Sequence, residues 1–397
     1  MADVAEISRC EVCGGATLAP VLNLGEQPLC DDLVPLGAAA RPKGYPLELV
    51  ACETCKTVHQ RFQVEKKLLF PKTYHYRSAM TQDVLDGMAE LVALAEGLCG
   101  GLAGKTVLDI GCNDGSLLKQ FEAKGARGVG IEPTGAAADA AAGGVKVYNR
   151  FFDKGAVEAY RAENDAPDII TFTNVFAHIS GLDDVIACLK ELMGPQTKLI
   201  VENHYLGAVL DKHQFDTFYH EHPRTYSATS FRFIAEKLGL AIEHMSFPDR
   251  YNGNIRVVMG KGAGAVADGP DESDFVARFD AMGVYIERRR GEIMAEINAL
   301  VAQHGPLPAK AFPGRASIIL NYFGIDETHI SAAYERPASP KIGHYIPGSR
   351  IPILSEDAFF CEPFPPVMVN FAWHIRREIE TYMRGKGFEG DIVDIFS

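Results

Sequence analysis

The stretch KTVLDIGCNDGSLLKQF, residues 105–121, reads as a strand, a tight turn and a helix. Asp109 closes the strand, and Gly111, Asn113, Asp114 and Gly115 make the turn. Glycines there let the backbone approach a ligand, and the helix N-terminus follows at once. The loop is neither G-x-G-x-x-G nor a GK[ST] phosphate loop, so a dinucleotide or nucleoside triphosphate is disfavoured. Its acidic members repel a pyrophosphate and suit a cation. Outward from it, GVGIEPTG (128–135) is a second strand and turn, and its Glu132 lies 23 residues after Asp109. A carboxylate so placed can accept both hydroxyls of a ribose. DIITFTNVFAHI (168–179) and TKLIVENHYLG (197–207) repeat the strand-to-loop theme. This βαβ alternation over roughly 100–260 implies a mostly parallel sheet with helices on both faces.

A cationic ligand with a ribose fits S-adenosylmethionine, whose sulfonium and amino group carry positive charge. Phe151, Phe152 and Asp153 are candidates to flank and hydrogen-bond its adenine. Flanking segments complete an α/β organisation. A helix is expected from Thr81 to Leu98, with Val84, Leu85, Met88, Leu91 and Leu94 on one face, and a longer one over 271–304, broken by Gly305 and Pro306. The alanine-rich 136–142 is read as a turn. After Ala309, ASIILNYFGI, RIPIL and PPVMVNFAW read as buried strand ends, and HIRREIETYMRGKG as a closing helix.

Cys10-Glu-Val-Cys13 and Cys52-Glu-Thr-Cys55 form two CxxC turns with 38 residues between them. Each turn can bend two thiolates round one ion, and two turns complete a tetrahedral Zn²⁺ site that is closed and therefore structural. Cys30, Cys99, Cys112, Cys188 and Cys361 are read as core or incidental thiols. The chain of 397 residues is too long for one ordinary domain. Its net charge of −13 disfavours a nucleic-acid substrate. The N-terminus lacks a basic start followed by an apolar run, and no apolar stretch reaches about 18 residues. A cytoplasmic protein with reduced thiols, with no membrane or nucleic-acid partner, is expected. A monomer is the working expectation.

These motifs, in this order and over nearly the whole chain, resemble the sugar C-methyltransferases of deoxysugar pathways, such as those that methylate C3 of dTDP-4-keto-deoxyhexoses. The resemblance rests on the four cysteines, on IGCNDGSLL, GIEPT and TNVFAHI, on FDTFYHEHPRTYS, and on LNYFGI, KIGHYIPGSRIPI and FAWHI. It implies a zinc-binding module (1–75), a central class I, Rossmann-like methyltransferase domain (76–270), and a linking helix with a C-terminal Rossmann-like domain (271–397). Two departures stand out. Pro223-Arg224 follows Glu-His where the family usually has an aromatic or aliphatic residue. The turn AFPGRASIILNY is shorter than the family's and has Arg315 in place of its lysine.

Carbon methylation beside a ketone needs a base at the carbon, a donor for the enolate oxygen, and an in-line sulfonium. Tyr219-His220-Glu221-His222 offers these residue types together. Spacing alone does not choose between His220 and His222, since an extended segment puts both on one face. The resemblance chooses His222 as base, with Tyr219 assisting and Glu221 supporting. It also places His178 beside the ketone and Tyr76 as a residue closing over the sugar. Asp109, Gly111, Asn113, Gly115, Glu132, Phe152 and Asn174 are the expected cofactor set, and Asn203, Arg224, Asn321, Lys341 and Arg350 the expected substrate set. The competing readings are an O- or N-methyltransferase on a sugar nucleotide, a non-catalytic binding protein with this fold, and a nicotinamide-dependent sugar enzyme.

Overall fold

The computed structural model describes residues 3–71, 77–80, 82–262, 269–361 and 363–396. The chain forms two compact units. The first comprises residues 1–20, 50–212 and 221–275, and the second residues 21–49, 213–220 and 276–397. The grouping cuts across the order of the sequence, and the segment Tyr219–His222 passes from the second unit to the first after His220.

In the first unit, β1 (Val58–Gln60), α1 (Gln82–Cys99), β2 (Thr106–Ile110), α2 (Ser116–Glu122), β3 (Arg127–Ile131), α3 (Ala136–Ala142) and β4 (Lys146–Tyr148) are followed by β5 (Ile169–Thr173), β6 (Lys198–His204), β7 (Arg224–Thr225), β8 (Ala241–Ser246) and β9 (Asn254–Gly260). Seven strands form one sheet in the order β8-β9-β6-β5-β2-β3-β4. Strands β6, β5, β2, β3 and β4 run parallel, while β9 is antiparallel to β6 and to β8. The order reverses at β2, whose neighbours β3 and β5 leave it on opposite sides, so a crevice opens beyond its carboxyl end. The apolar face of α1 (Val84, Met88, Leu91, Val92, Ala95) packs with Leu117, Leu118 and Phe121 of α2 and with Val107, Ile200 and Val258 of the sheet. The alanine-rich stretch is the helix α3 rather than a turn. Alanine has the lowest helix cost of any residue.

In the second unit, α4 (Phe275–His304) leads into β10 (Leu307–Lys310), α5 (Ala316–Phe323), β11 (Ile330–Glu335), β12 (Ile353–Ser355), β13 (Val367–Asn370), α6 (Arg376–Gly385) and β14 (Asp391–Asp394). These strands form a parallel sheet in the order β12-β11-β10-β13-β14. ASIILNYF, expected as a strand, is the helix α5, ended by Gly324 in the left-handed conformation (φ 79°). A short, mostly apolar run fits a buried strand or a buried helix, and the i, i+4 spacing of its polar Ser317 and Asn321 with the C-terminal glycine was the signal that separates them. Residues 21–49 belong to this unit. Val34–Pro35 pairs with His344–Tyr345, and the Arg350 guanidinium donates to the carbonyls of Ala38, Ala39 and Ala40 at 2.8–2.9 Å.

The turn after β2 lies close against β3. A Cβ on Gly130 would sit 2.3 Å from Cys112 Sγ and 3.0 Å from its Cβ. Gly130→Ala is expected to destabilise by about 1–3 kcal/mol through overpacking. Adding Cys112→Ala should recover part of it, read as the shift in urea midpoint across the double-mutant cycle.

Candidate active site and zinc centre

The cofactor loop is held open by backbone conformation. Gly111 (φ 72°), Asn113 (φ 51°) and Gly115 (φ 78°) all adopt left-handed geometry. A Cβ on Gly111 would meet Val175 at 2.5 Å, so glycine is needed there on two grounds. The loop is tied to the end of β3. Glu132 accepts from the Asn113 amide at 3.1 Å with one oxygen, and from the Thr134 amide and hydroxyl at 2.8 and 2.6 Å with the other. Asn113 and Asp114 also accept from the amides of Ser78 and Ala79. Asp109 is buried and accepts from Thr171 Oγ1 at 2.7 Å. Burial pushes its carboxyl up to about 7, with Glu132 adding to the rise and Thr171 opposing it. A buried neutral acid beside an open glycine loop is poised to ionise when a cation arrives. The donor set fits a sulfonium nucleoside. Phe152 packs edge-on to Phe172 at 5.8 Å, and Asp153, considered for adenine, instead caps a helix by accepting from Ala156 N.

Asn174 follows β5 in left-handed geometry (φ 55°), and its amide donates to the Glu202 carbonyl at 2.7 Å. His178 sits in the turn beyond it. Its ring meets the His222 ring edge-on at 4.6 Å and the Phe70 ring at 5.3 Å. Burial, then the neighbouring His222, hold its pKa well below the ordinary value, against a hydrogen bond to the Asn174 backbone. His178 is therefore neutral, and its Nδ1 has no hydrogen-bond partner among the described residues. Next to Asn203, His204 ends β6 with its ring 5.7 Å from that of His222. The sequence reading missed His204, although it stands at a strand's carboxyl end as His178 nearly does. Asn203 is 1% exposed, and neither its amide oxygen nor its nitrogen has a partner among the described residues. Leaving such groups unmet costs about 1–3 kcal/mol each, which a polar ligand would relieve.

The tie between the two motif histidines is broken by a turn at His220-Glu221, which ends any period-two alternation. His220, in the second unit, is hydrogen-bonded through Nε2 to the Tyr45 carbonyl at 3.2 Å, and burial takes it down to about 4. His222, in the first unit, is the one beside His178. Glu221 is buried in the first unit, and Tyr219 is half-buried in the second. Tyr76 lies outside the described residues.

Several residues expected at substrate have other partners. Arg224, fully buried, donates to Glu11 at 2.7 Å, to Tyr226 Oη at 2.9 Å and to the Ile179 carbonyl. Asn321 donates to the carbonyls of Ser317 and Pro347, and Lys341 to that of Phe312. Arg350 is spent on the carbonyls of Ala38 to Ala40. Arg315, the residue at the altered turn, makes a two-pronged pair with Asp216 at 2.6 and 2.8 Å.

The Sγ atoms of Cys10, Cys13, Cys52 and Cys55 all lie within 4.8 Å of one another, a spacing that suits four thiolates around Zn²⁺. Cys10 and Cys13 also accept backbone N–H bonds, from Cys13 at 3.5 Å and Gly15 at 3.4 Å, which favour thiolate. Behind the first pair, His59 Nε2 lies 3.3 Å from Cys10 Sγ, and its Nδ1 lies 3.5 Å from Glu11. Burial raises the Glu11 carboxyl, but His59, Arg224 and Gln63 outweigh it and hold the group well below the usual range.

A glycine loop, a carboxylate at the end of the neighbouring strand and polar residues at the carboxyl ends of a parallel sheet define a class I S-adenosylmethionine-dependent methyltransferase. Comparison with known proteins agrees along the chain. Residues 10–70 match a zinc binding domain, 76–245 a methyltransferase domain, and 268–390 the C-methyltransferase C-terminal domain. Along its length the chain is similar to the S-adenosylmethionine-dependent C-methyltransferases. It is 27% identical over 394 residues to C-methyltransferase NovU of Streptomyces niveus, covering 95% of this chain and 92% of that protein. It is 31% identical over 107 residues to a ubiquinone biosynthesis O-methyltransferase of Pasteurella multocida, covering 24% of this chain and 44% of that one. Magnesium protoporphyrin IX methyltransferase from Synechocystis, solved with bound SAM, is 15% identical with a TM-score of 0.34, covering 45% of this chain and 80% of that one. No described helix is long and apolar enough to cross a membrane.

Elemental analysis of protein purified without chelator is expected to give one zinc per chain. Cys52→Ser should reduce the metal content and the folded fraction together, because a structural site holds shape. Full metal loss with an unchanged melting curve would contradict a structural role.

Proposed function

We propose that the methyl acceptor is a nucleotide-linked 4-keto deoxyhexose, and that the methylated atom is its C3 carbon. The observation that carries this reading is the edge-on pair of half-buried His178 and buried His222, in the unit that holds the cofactor loop. Carbon methylation of a sugar needs an acidic C–H, hence an adjacent ketone and a base.

His222 takes the proton alpha to that ketone. His178, neutral and bonded to the Asn174 backbone, offers its other nitrogen to a hydroxyl of the sugar. Asn203 supplies the amide donor that a developing enolate oxygen requires, and the oxygen in turn satisfies a buried group that has no partner among the described residues. Tyr219 and Glu221 assist from the same motif. Bound S-adenosylmethionine contributes an electrophilic methyl group on a sulfonium. Gly111, Asn113 and Gly115 provide the close backbone approach, Glu132 the ribose contact, and Asp109 a carboxyl that ionises beside the positive charge. Asn174 and Phe152 border the same crevice.

The Asp109 carboxyl gives the binding step a pH signature. Raised to about 7 in the free protein, it is protonated below that pH and ionised above it. A cationic ligand favours the ionised form, so S-adenosylmethionine should release a proton on binding near pH 7 and bind more tightly at pH 8 than at pH 6. Calorimetry in buffers of different ionisation enthalpy reads this directly, and Asp109→Asn should abolish the release. In the same assay Glu132→Ala should weaken binding by roughly ten- to a hundred-fold, the equivalent of a charge-assisted hydrogen bond of about 1.5–3 kcal/mol.

For the base, wild-type protein with S-adenosylhomocysteine in D2O is expected to wash out the sugar's C3 proton. His222→Ala should slow this by about 10²–10⁴-fold while S-adenosylmethionine affinity stays nearly intact. Exchange as fast as in wild type would remove His222 from the role. A new C–CH3 singlet in the product's NMR spectrum distinguishes carbon from oxygen or nitrogen transfer.

A further inference from the structure

Arg224 is the largest fully buried side chain of the protein among the described residues. A buried guanidinium needs acceptors, and this one has three, each from a different segment. Glu11 belongs to the first zinc knuckle, between Cys10 and Cys13. The Ile179 carbonyl belongs to the residue that follows His178. Tyr226 belongs to the segment that carries His222. Glu11 is itself fixed by Gln63 at 2.7 Å and by His59, whose other nitrogen faces Cys10 Sγ.

A second set of bonds runs the same way. Strand β1, which starts three residues after Cys55, pairs antiparallel with β7, with His59 opposite Arg224 and Val58 opposite Thr225. Gln60 donates its backbone N–H to the Pro223 carbonyl and its side-chain amide to the His222 carbonyl, both at 2.9 Å. At the second knuckle, the Cys55 carbonyl accepts from Ser227 and Ser230, and Cys55 Sγ lies 3.0 Å from Thr57. The His222 and Pro223 carbonyls are thus both bonded to the strand leaving the zinc-binding turns.

We propose that Glu11 and Arg224 are positioning residues that set the distance between His178 and His222, so that the zinc centre is part of the device aligning this histidine pair. This rests on the reading of the pair as the site's proton-handling centre. Arg224 bonds both the residue that follows His178 and the segment that carries His222, and Glu11 transmits the rigidity of the metal-bound turn to it. A lysine in its place keeps the charge but lacks the fork needed to meet three acceptors in three directions. Displacements of the order of 1 Å between reacting groups cost about 10²-fold in rate.

The test uses full-length, zinc-loaded Arg224→Lys and the milder Glu11→Gln, which keeps an acceptor oxygen. Lys198→Met, which breaks the Lys198–Glu243 pair elsewhere in the same unit, is the control. Long-range 1H–15N spectra of the histidine rings, assigned with His178→Gln and His222→Gln, report ring environment and tautomer without any substrate. Both positioning variants are expected to shift the His178 and His222 signals while zinc stays at one per chain and S-adenosylmethionine affinity within about two-fold. The control should leave those signals in place. With an active acceptor, kcat should fall roughly ten- to a hundred-fold with KM nearly unchanged. Unmoved ring signals in a zinc-loaded variant overturn the proposal. Loss of zinc in both variants also overturns it, in favour of a purely metal-retaining role. The ring spectra are independent of proton exchange from the sugar, so a failure of His222 as base is read separately.

Discussion

A parallel sheet must reverse its strand order somewhere, and where it does the loops on either side splay apart beyond the carboxyl ends. In the first unit that place is the end of β2, and every proposed cofactor contact depends on it. The glycine turn leaves β2, Glu132 ends β3, Asn174 and His178 follow β5, and Asn203 and His204 close β6. These residues come from four separated stretches of chain. They are neighbours because five parallel strands put all their carboxyl ends on one edge. The turn stays open because left-handed backbone at Gly111 and Gly115 favours glycine, and at Gly111 the Val175 side chain leaves no room for a Cβ.

Burying charge beside this edge is costly unless every ion is matched, and the first unit matches them with side chains from distant segments. Glu202, fully buried at the end of β6, takes Arg250 at 2.8 Å and Arg256 at 2.6 Å. Arg224 takes Glu11 at 2.7 Å. Glu202 and Arg256 face each other across the paired strands β6 and β9, while Arg250 and Glu11 come from segments outside that pair. Among the described residues, His178 Nδ1 and both amide atoms of Asn203 have no hydrogen-bond partner, and they lie at the carboxyl-end edge of the sheet. Desolvation lowers His178 and raises Asp109 for one reason: loss of water disfavours the charged form of a base and of an acid alike.

Much of the architecture was legible in the chain. Strand β2, the glycine turn and α2 stand as expected, as do α1, α4 and the closing helix, because each has a clear period and a clear stop. The readings that failed were those where periodicity carries no information. ASIILNYF carries only Ser317 and Asn321 as clearly polar residues and the alanine run only Asp139, too few to set a period by themselves. Arg224, Lys341, Arg350 and Asn321 were expected near substrate because polar residues in motif positions attract that reading. Their donors are bonded to carbonyls, one carboxylate and the Tyr226 hydroxyl, supplied by residues up to 312 positions away, which no local pattern reveals.

The four-cysteine spacing, the acidic glycine turn and the carboxylate 23 residues beyond it are statements of covalent order, and order alone determined the zinc chemistry, the cofactor class and the α/β plan. Which of two histidines two residues apart faces the His178 ring was not such a statement. It was decided by a turn at His220-Glu221, by the Tyr45 carbonyl that holds His220, and by the strand pairing that holds His222. The reason is physical. A ligand set or a tight turn is specified within a few residues of chain, whereas the direction of a buried side chain is fixed by the long-range partners that satisfy its polar atoms, and these exist only once the sheet has formed.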